Sequence, residues 1–549
     1  MKKHNYFNGI KSFALTALVI FLSACSGDDN IDDSSETPKP DPEPEVEVPV
    51  PESFDGPTYA DDYSSMASWA NRSKWNLANV HDPTVVKHGD YYYMYQTDAS
   101  YGNAHDGHGH FHGRRSKDLV NWEYMGASMP NQPSWIKEEL NTIRASYNLA
   151  PIENLQIGYW APVVRKVGNV YRMYYSIVVD NFIGNGLPNS AANFDNTWTE
   201  RAFIGMMETT DPSVNSSWED KGMVVCSVSD KGNDWSRSSY TNDWNGYFKY
   251  NAIDPSYVIT PEGEHWMFYG SWHSGIAAIQ INESTGKPLN TFDYKDEATW
   301  GTHIYTRTSG SRWQGSEGPE VIYNENTGYY YLFLAYDGLD VPYNTRVCRS
   351  ENVTGPYKGI DGMNVTNGGD VYPIVTHPYK FNNHSGWVGF AHNAMFQNEE
   401  TGDWFYSSQA RLPENTGGNM YSNAIMMGHV REVSWTSDGW PVVSPERFAN
   451  VPQTEITEEN IVGTWEQITM NYEYRVMQTS KTIIFSKDGT LGGEVSGSWE
   501  LNKQTNTIYI NGDECKLFNA WDWEAAPRKL TIAYSGLTTD GKPIWAKKK

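Results

Sequence analysis

Three acidic residues, each placed beside a proline or a Gly-Pro pair and each followed by an aromatic strand, could move protons: Asp82 before Pro83, Asp254 before Pro255, and Glu317 before Gly318-Pro319. Two further segments share the pattern without a carboxylate, Trp160-Ala161-Pro162 and His392-Asn393. A single Asp before proline caps a turn and needs no further explanation. Three carboxylates brought to one place are different, because each must be desolvated beside the others, which is costly for a purely structural role. Facing carboxylates serve as a general acid and a general base, and in a cleft lined by aromatic rings the bond they suit is glycosidic.

The elements that bring them together are hairpins. Asn251–Trp272, NAIDPSYVITPEGEHWMFYGSW, is the template: an acid before proline, a β-branched strand, a Pro-Glu-Gly turn and an aromatic second strand. The shape recurs four times, giving five copies at spacings of roughly 60 to 90 residues, an internal repeat of the kind that marks propellers. Across residues 59–452 short strands alternate with Gly, Asn, Asp and Pro turns, and no long stretch reads as helix. The expected fold is all-β, a five-bladed propeller with four strands to a blade. First strands line the channel, so Asp82, the Trp160-Ala161-Pro162 segment, Asp254, Glu317 and His392 are expected at equivalent positions around one axis. Glu320 lies three residues beyond Glu317, and strand alternation then allows only one of the two to face the channel. Residues 453–549 alternate at period two, with Asp488-Gly489 as a hairpin turn, and predict a small antiparallel barrel or sandwich without a catalytic constellation. Its Trp521 and Trp523 suit packing better than sugar stacking.

Composition narrows the partners. The chain of 549 residues carries a formal net charge of −25, which repels a phosphate backbone and argues against nucleic acid, while 22 Trp and 36 Tyr fit strands and carbohydrate-stacking surfaces. No obligate protein partner is called for. Residues 1–25 read as a targeting segment, with Lys2, Lys3 and Lys11 ahead of a short apolar run that ends in Leu22-Ser23-Ala24-Cys25. That ending resembles the lipobox of bacterial lipoproteins and makes Cys25 the expected lipidation site. Ser26-Gly27-Asp28-Asp29 resembles a surface-export tag, so the expected location is the outer membrane, exposed at the cell surface, with a periplasmic-facing location as the alternative. Residues 26–58 are acidic and Pro-rich and predict a disordered tether, able to reach roughly 90 Å at ~3.1 Å per residue. Cys226, Cys348 and Cys515 make neither a disulfide framework nor a zinc pattern and are expected as buried thiols. The histidines His105, His108, His110 and His112 lack a second ligand cluster and read as a polar loop near the cleft rather than a zinc site.

Taken in order, Asn79-Val80-His81-Asp82-Pro83, Tyr159-Trp160-Ala161-Pro162, Asn251-Ala252-Ile253-Asp254-Pro255 and Ser316-Glu317-Gly318-Pro319 resemble glycoside hydrolase family 43, whose five-bladed propellers attack arabinose- and xylose-containing polymers. The turn from Arg115 to Trp122 is similar to that family's blade-one turn. The resemblance implies Asp82 as general base, Glu317 as general acid and Asp254 as the carboxylate that tunes and orients the acid, with inversion at the anomeric carbon. Gly318 stands where the family more often has Ala, and Val163 where it usually has Asp. Tyr269-Gly270-Ser271-Trp272 after the Asp254 motif looks most like endo-acting arabinanases, with arabinan or arabino-oligosaccharides as substrate. His392 resembles the histidine that holds a hydrated cation on the axis, usually assigned as calcium. Trp160, His81 and Trp272 are the candidate substrate contacts, with His273 beside them. The competing readings are an exo-acting α-L-arabinofuranosidase or β-xylosidase on the same fold, and a non-catalytic glycan-binding propeller.

Overall fold

The structure is a computed structural model that describes residues 54–98, 105–229, 248–311, 313–381 and 383–549. The lipobox with Cys25 and most of the tether lie outside the described residues. The chain is all-β, with five four-stranded antiparallel sheets followed by a closed eight-stranded barrel. Each sheet runs in chain order and forms one blade. The blades span 84–129, 157–226, 256–305, 316–376 and 388–443 and are numbered I to V here.

Their first strands are Thr84–His88, Ile157–Val167, Ser256–Ile259, Ser316–Asn324 and Val388–Gln397. Each touches the next, and the last touches the first, which closes a ring around one axis. Closure is reinforced outside the first strands, where Ala78 bridges to Met427 and the Gly428 N–H donates to the Leu77 carbonyl at 2.7 Å. Second strands are buried on both faces because a blade lies on either side. Tyr329–Tyr336, for example, is buried at every residue but the first. This explains why aromatic runs rather than alternation dominate those segments.

One element departs from the sequence expectation. Trp135–Ser146 is a 12-residue α-helix that packs on the outer edge of blade II, burying Ile136, Leu140 and Ile143. Those three residues lie four and three apart, the spacing of one helical face, and the polar residues between them hid it among turn-rich loops.

The barrel interior is filled by rings, with Trp465 5.3 Å from both Phe485 and Tyr534. Trp523 is buried and donates its Nε1–H to the Arg447 carbonyl at 2.8 Å, on the chain leaving blade V. Trp521 donates to the Pro57 carbonyl at 3.1 Å and meets Phe54 edge-on. Both tryptophans therefore pack, and residues 54–58, which the sequence assigns to the tether, are docked on the barrel. The barrel is joined to the propeller by a buried charge cluster in which Lys547 Nζ reaches Asp522 at 2.7 Å, Glu446 at 2.9 Å and Glu524 at 3.3 Å. Cys226, Cys348 and Cys515 are free and buried.

Candidate active site

One backbone feature organises the axis. Asp82, Ala161, Asp254, Gly318 and His392 have φ of 45°, 37°, 55°, 56° and 55°, one left-handed residue per blade at the start of or within the first strand. In blades II, IV and V the pairing register shifts across this residue. The equivalent position in blade IV is thus Gly318. Glu317 stands one residue earlier than the repeat implies.

Such backbones are unfavourable for residues with a Cβ, and a following proline adds to the cost. Side chains of the preceding blade hold them. The Asp82 N–H donates to Gln409 Oε1 at 2.6 Å, that of Ala161 to Thr97 Oγ1 at 2.7 Å, that of Asp254 to Ser176 Oγ at 3.0 Å, and that of Gly318 to Asp254 Oδ2 at 3.2 Å.

The bends bring the groups together. Asp82 accepts from Thr97 Oγ1 at 2.5 Å through Oδ2 and from His392 Nδ1 at 3.0 Å through Oδ1. The Tyr343 hydroxyl lies 3.5 Å from the same His392 Nδ1 and donates to Glu317 Oε1 at 2.7 Å. Ser271 Oγ stands 3.4 Å from Glu317 Oε2. A Cβ on Gly318 would come within 3.1 Å of the His392 ring, so the absence of a side chain there gives the imidazole its place.

Burial and the Asp254 charge push the Glu317 carboxyl up to about 7. Burial likewise raises Asp254, to about 6, with the Asp82 charge adding and His392 and the Gly318 N–H opposing. For His392 burial works downward, but the carboxylates Asp82, Asp254, Glu317 and Glu320 outweigh it, and its pKa rises. Burial takes His81 down to about 4, with Arg411 and His392 in the same direction and only Asp82 opposing, so this neighbour is a neutral imidazole.

The Glu320 expectation is corrected. The register shift between Glu317 and Glu320 breaks strict alternation, and both carboxylates reach the axis. Glu320 accepts from Arg165 Nη2 of blade II at 2.6 Å, from Ser256 Oγ of blade III at 3.0 Å and from the Met395 N–H of blade V at 3.1 Å. It ties the inner strands of blades II, III and V to that of blade IV.

The candidate aromatic contacts flank this cluster. Trp160 is half-buried against Val178, Ala202 and Ile253, the last of these next to Asp254. Trp272 lies flat over Gly315, two residues before Glu317, where any Cβ would come within 2.4 Å of the indole. His273 is bound to loop carbonyls, with Nδ1 3.2 Å from that of Arg307 and Nε2 3.2 Å from that of Ser311. The histidine run is structural in its contacts. His108 stacks on Trp69 at 3.8 Å, His105 on His112 at 4.0 Å, and His110 sits on Asp98 Oδ2 at 2.6 Å. Among the described residues no group of three or more His, Cys, Asp or Glu converges as a metal cage.

Tyr343, Thr97, Ser176, Ser271 and Gln409 belong to the site but escaped the sequence reading. Four of them did leave a signal: Thr97, Ser176, Ser271 and Gln409 are polar residues within or just after the aromatic second strands of four of the five copies. Tyr343 sits on a loop and left none.

The family model "Glycosyl hydrolases family 43" matches residues 77–441. The chain belongs to this family. A second model, a C-terminal lipocalin-like domain, matches residues 445–546. The chain is 25% identical to extracellular endo-alpha-(1->5)-L-arabinanase 2 of Bacillus subtilis over 87% of its own length and 95% of the relative's. It is 27% identical to the extracellular endo-alpha-(1->5)-L-arabinanase of Thermotoga petrophila, over 85% and 93% respectively. The crystal structure of endo-1,5-alpha-L-arabinanase from Thermotoga petrophila superposes with a TM-score of 0.64 at 25% identity, covering 86% of this chain and 99% of that one. An extracellular exo-alpha-(1->5)-L-arabinofuranosidase of Cellvibrio japonicus is also similar, 25% identical over 67% of this chain and 88% of its own. Membership makes the chain a glycoside hydrolase, and the carboxylate cluster stands on the inner strands within the matched residues.

The raised Glu317 pKa has a consequence for stability. The folded state disfavours the ionised carboxyl, so this group's favourable contribution is complete below its ordinary value of 4.5 and is lost as the pH rises through about 7. Glu317→Gln removes that loss. The melting temperature of the variant is expected to match wild type at about pH 4.5 and to exceed it by several degrees at about pH 8, the equivalent of about 2–3 kcal/mol. Paired thermal melts across this range check it, and a difference that does not grow with pH contradicts the assigned environment.

Proposed function

We propose that the protein is an inverting endo-arabinanase that cleaves internal α-1,5-L-arabinofuranosidic bonds of arabinan. Glu317 is the general acid, Asp82 the general base, and Asp254 the carboxylate whose negative field keeps the acid protonated. The observation that carries the assignment is the contrast between the two reacting groups. Glu317 is held near 7 by burial and by Asp254 in spite of the Tyr343 hydroxyl on Oε1, whereas Asp82 pairs with the His392 imidazole and accepts from the Thr97 hydroxyl. A carboxyl kept protonated by its surroundings suits the acid, and one hydrogen-bonded to an imidazole and a hydroxyl suits the base.

Inversion is what the family resemblance implies, and the spacing is compatible with it. Asp82 Oδ1 and Glu317 Oε1 are linked through His392 Nδ1 and the Tyr343 hydroxyl by contacts of 3.0, 3.5 and 2.7 Å. Laid end to end, these keep the two oxygens inside the upper limit of the roughly 6.5–9.5 Å separation that leaves room for an attacking water. In the reaction Glu317 gives its proton to the glycosidic oxygen as that bond breaks. Asp82 takes a proton from the water that attacks the opposite face of the sugar. Trp160 and Trp272 flank the cluster as stacking platforms, and neutral His81 adds a polar contact beside the base.

Arabinan as the substrate rests on the named activities of the relatives, and endo action on the two that match along nearly the whole chain. The exo reading draws on the Cellvibrio japonicus relative. Linear arabinan separates the two: an endo enzyme yields mixed oligosaccharides from the first minutes, whereas arabinose alone from the start refutes endo action. Glu317→Gln is expected to lower kcat on this substrate by about 10²–10⁴-fold while oligosaccharide binding survives. Unchanged turnover would take Glu317 out of the acid role.

His392 is our candidate holder of a hydrated divalent cation, calcium or one like it. With Nδ1–H held by Asp82, Nε2 is the ring atom that would ligate, and the ion would have to displace the proton that the surrounding carboxylates favour. Calcium prefers oxygen, so such an ion would take most of its shell from water. Chelation is then expected to lower the melting temperature by several degrees, with recovery on adding calcium, and His392→Ala is expected to abolish that response. An identical melt with and without chelator would leave His392 as the hydrogen-bonding bridge between Asp82 and Tyr343. We further place the enzyme on the outer membrane, anchored through Cys25. Membrane fractionation tests this, since Cys25→Ser should move the protein to the soluble fraction.

A further inference from the structure

The barrel meets the propeller beside the acid. Between the first barrel strand, Gly463–Thr469, and the second, Lys481–Phe485, the chain crosses to the propeller, where Gln478 and Thr479 pair in parallel with Tyr379 and Lys380. Within that crossing Tyr472 donates its hydroxyl to Asp337 Oδ2 at 2.9 Å and accepts from Gln314 Nε2 at 3.0 Å. Its ring lies 4.4 Å from the guanidinium of the buried Arg346.

Asp337 is a junction. It is fully buried, has a left-handed backbone with φ of 71°, and donates its N–H to the Gly315 carbonyl at 2.9 Å, two residues before Glu317. Its carboxylate takes Arg307 Nη1 at 2.7 Å and Asn344 Nδ2 at 3.0 Å. Asp337 thus ties the approach to Glu317 to both ends of the loop 337–344. Tyr343, which donates to Glu317 Oε1, stands at the far end of that loop, and its carbonyl accepts the Phe390 N–H at 3.3 Å, two residues from His392.

The charge of Asp337 is already answered by Arg307, so the Tyr472 hydroxyl is not needed to neutralise it. What it adds is direction, a fixed point for the loop supplied from outside the propeller. The nearby pair of Arg475 and Asp340, at 2.9 Å, has both side chains about half exposed and contributes little.

We propose that Tyr472, contributed by the C-terminal barrel, is a positioning residue for hydrolysis: by holding Asp337 it fixes the loop whose Tyr343 aims the Glu317 carboxyl at the leaving oxygen. The barrel is on this account part of the acid's support. The proposal rests on Glu317 being the acid, and the test keeps the two apart.

Tyr472→Phe retains the ring beneath Arg346 and removes one oxygen. Kinetics of the full-length protein are compared on two substrates, linear arabinan, whose alkoxide leaving group needs the acid, and a 4-nitrophenyl arabino-oligosaccharide, whose phenolate leaves with little protonation. The expected result is a kcat about 5–20-fold lower on arabinan with KM unchanged, and turnover within about twofold of wild type on the aryl substrate. The melting temperature is expected to stay within a few degrees of wild type. Because Tyr472 acts through Tyr343, Tyr343→Phe with Tyr472→Phe is expected to be no slower on arabinan than Tyr343→Phe alone. Equal losses on both substrates, additive losses in the double variant, or full arabinan turnover by Tyr472→Phe each overturn the proposal. Wild-type protein that cleaves neither substrate overturns the hydrolase reading beneath it, an outcome distinct from the other three.

Discussion

At the axis of the propeller one residue of each blade adopts a left-handed backbone, and in four of the five blades a proline follows it. For Asp82, Ala161, Asp254 and His392 the conformation costs of order 1–3 kcal/mol each, and it persists only where the surroundings over-determine it. The restraint comes from across the blade boundary. In blades I to IV the N–H of the bent residue is held by a side chain of the preceding blade, through Gln409, Thr97, Ser176 and Asp254. Strain at the centre is therefore balanced by the ring of blades, and a ring that did not close would leave the bend in blade I without its partner from blade V. The same bends turn Asp82, Asp254 and His392 toward one another. In blade II the equivalent residue is Ala161, which adds no charge to the cluster.

A cluster of this kind has to settle its charge internally. Asp82, Asp254, Glu317 and Glu320 all act on His392, and the imidazole answers by holding its proton more firmly than it would in water. Glu320 is taken out of the contest by Arg165 and by donors from two other blades. Of the remaining three, Asp82 has two side-chain donors and Asp254 has the Gly318 N–H. Glu317 is pushed up because it is buried and faces the charge of Asp254, which is itself raised by burial.

The parts of this arrangement that were legible in the sequence are those the repeat wrote down. Proline after Asp82, Asp254 and Gly318 punctuated the chain at the places where the backbone bends, so the five blades and four of the central groups could be read from spacing alone. The register of the fourth copy was misread, because a proline marks the residue before it as the bent one, and in blade IV that residue is Gly318. Glu320 was misread for the same reason, since alternation along a strand fails across a bulge. The helix Trp135–Ser146 was legible in principle from Ile136, Leu140 and Ile143 but lay inside a stretch dominated by turns. Tyr343 and Tyr472 were not legible at all. Each comes from a loop outside the repeat, and a contact between residues 135 apart, such as Tyr472 with Asp337, leaves no local pattern to detect.

If Glu317 is the acid, as proposed, its hydrogen bonds bear on which oxygen carries the proton. Tyr343 donates to Oε1 at 2.7 Å, and a phenolic hydrogen pointed at that oxygen requires a lone pair there. The carbonyl oxygen of a protonated carboxyl is the better acceptor, and this favours the proton on Oε2. Its neighbour among the described residues is Ser271 Oγ at 3.4 Å, a long contact that leaves an Oε2–H largely uncommitted. A group that must surrender its proton to a substrate is best held on one oxygen and free on the other. The side of the carboxyl that is held traces back through Tyr343 and Asp337 to the barrel, while the free side faces Ser271 on blade III, beside Trp272. The acid is thus oriented by two parts of the chain that the repeat does not connect, and this is why a propeller of this design has reason to keep a second domain against its flank.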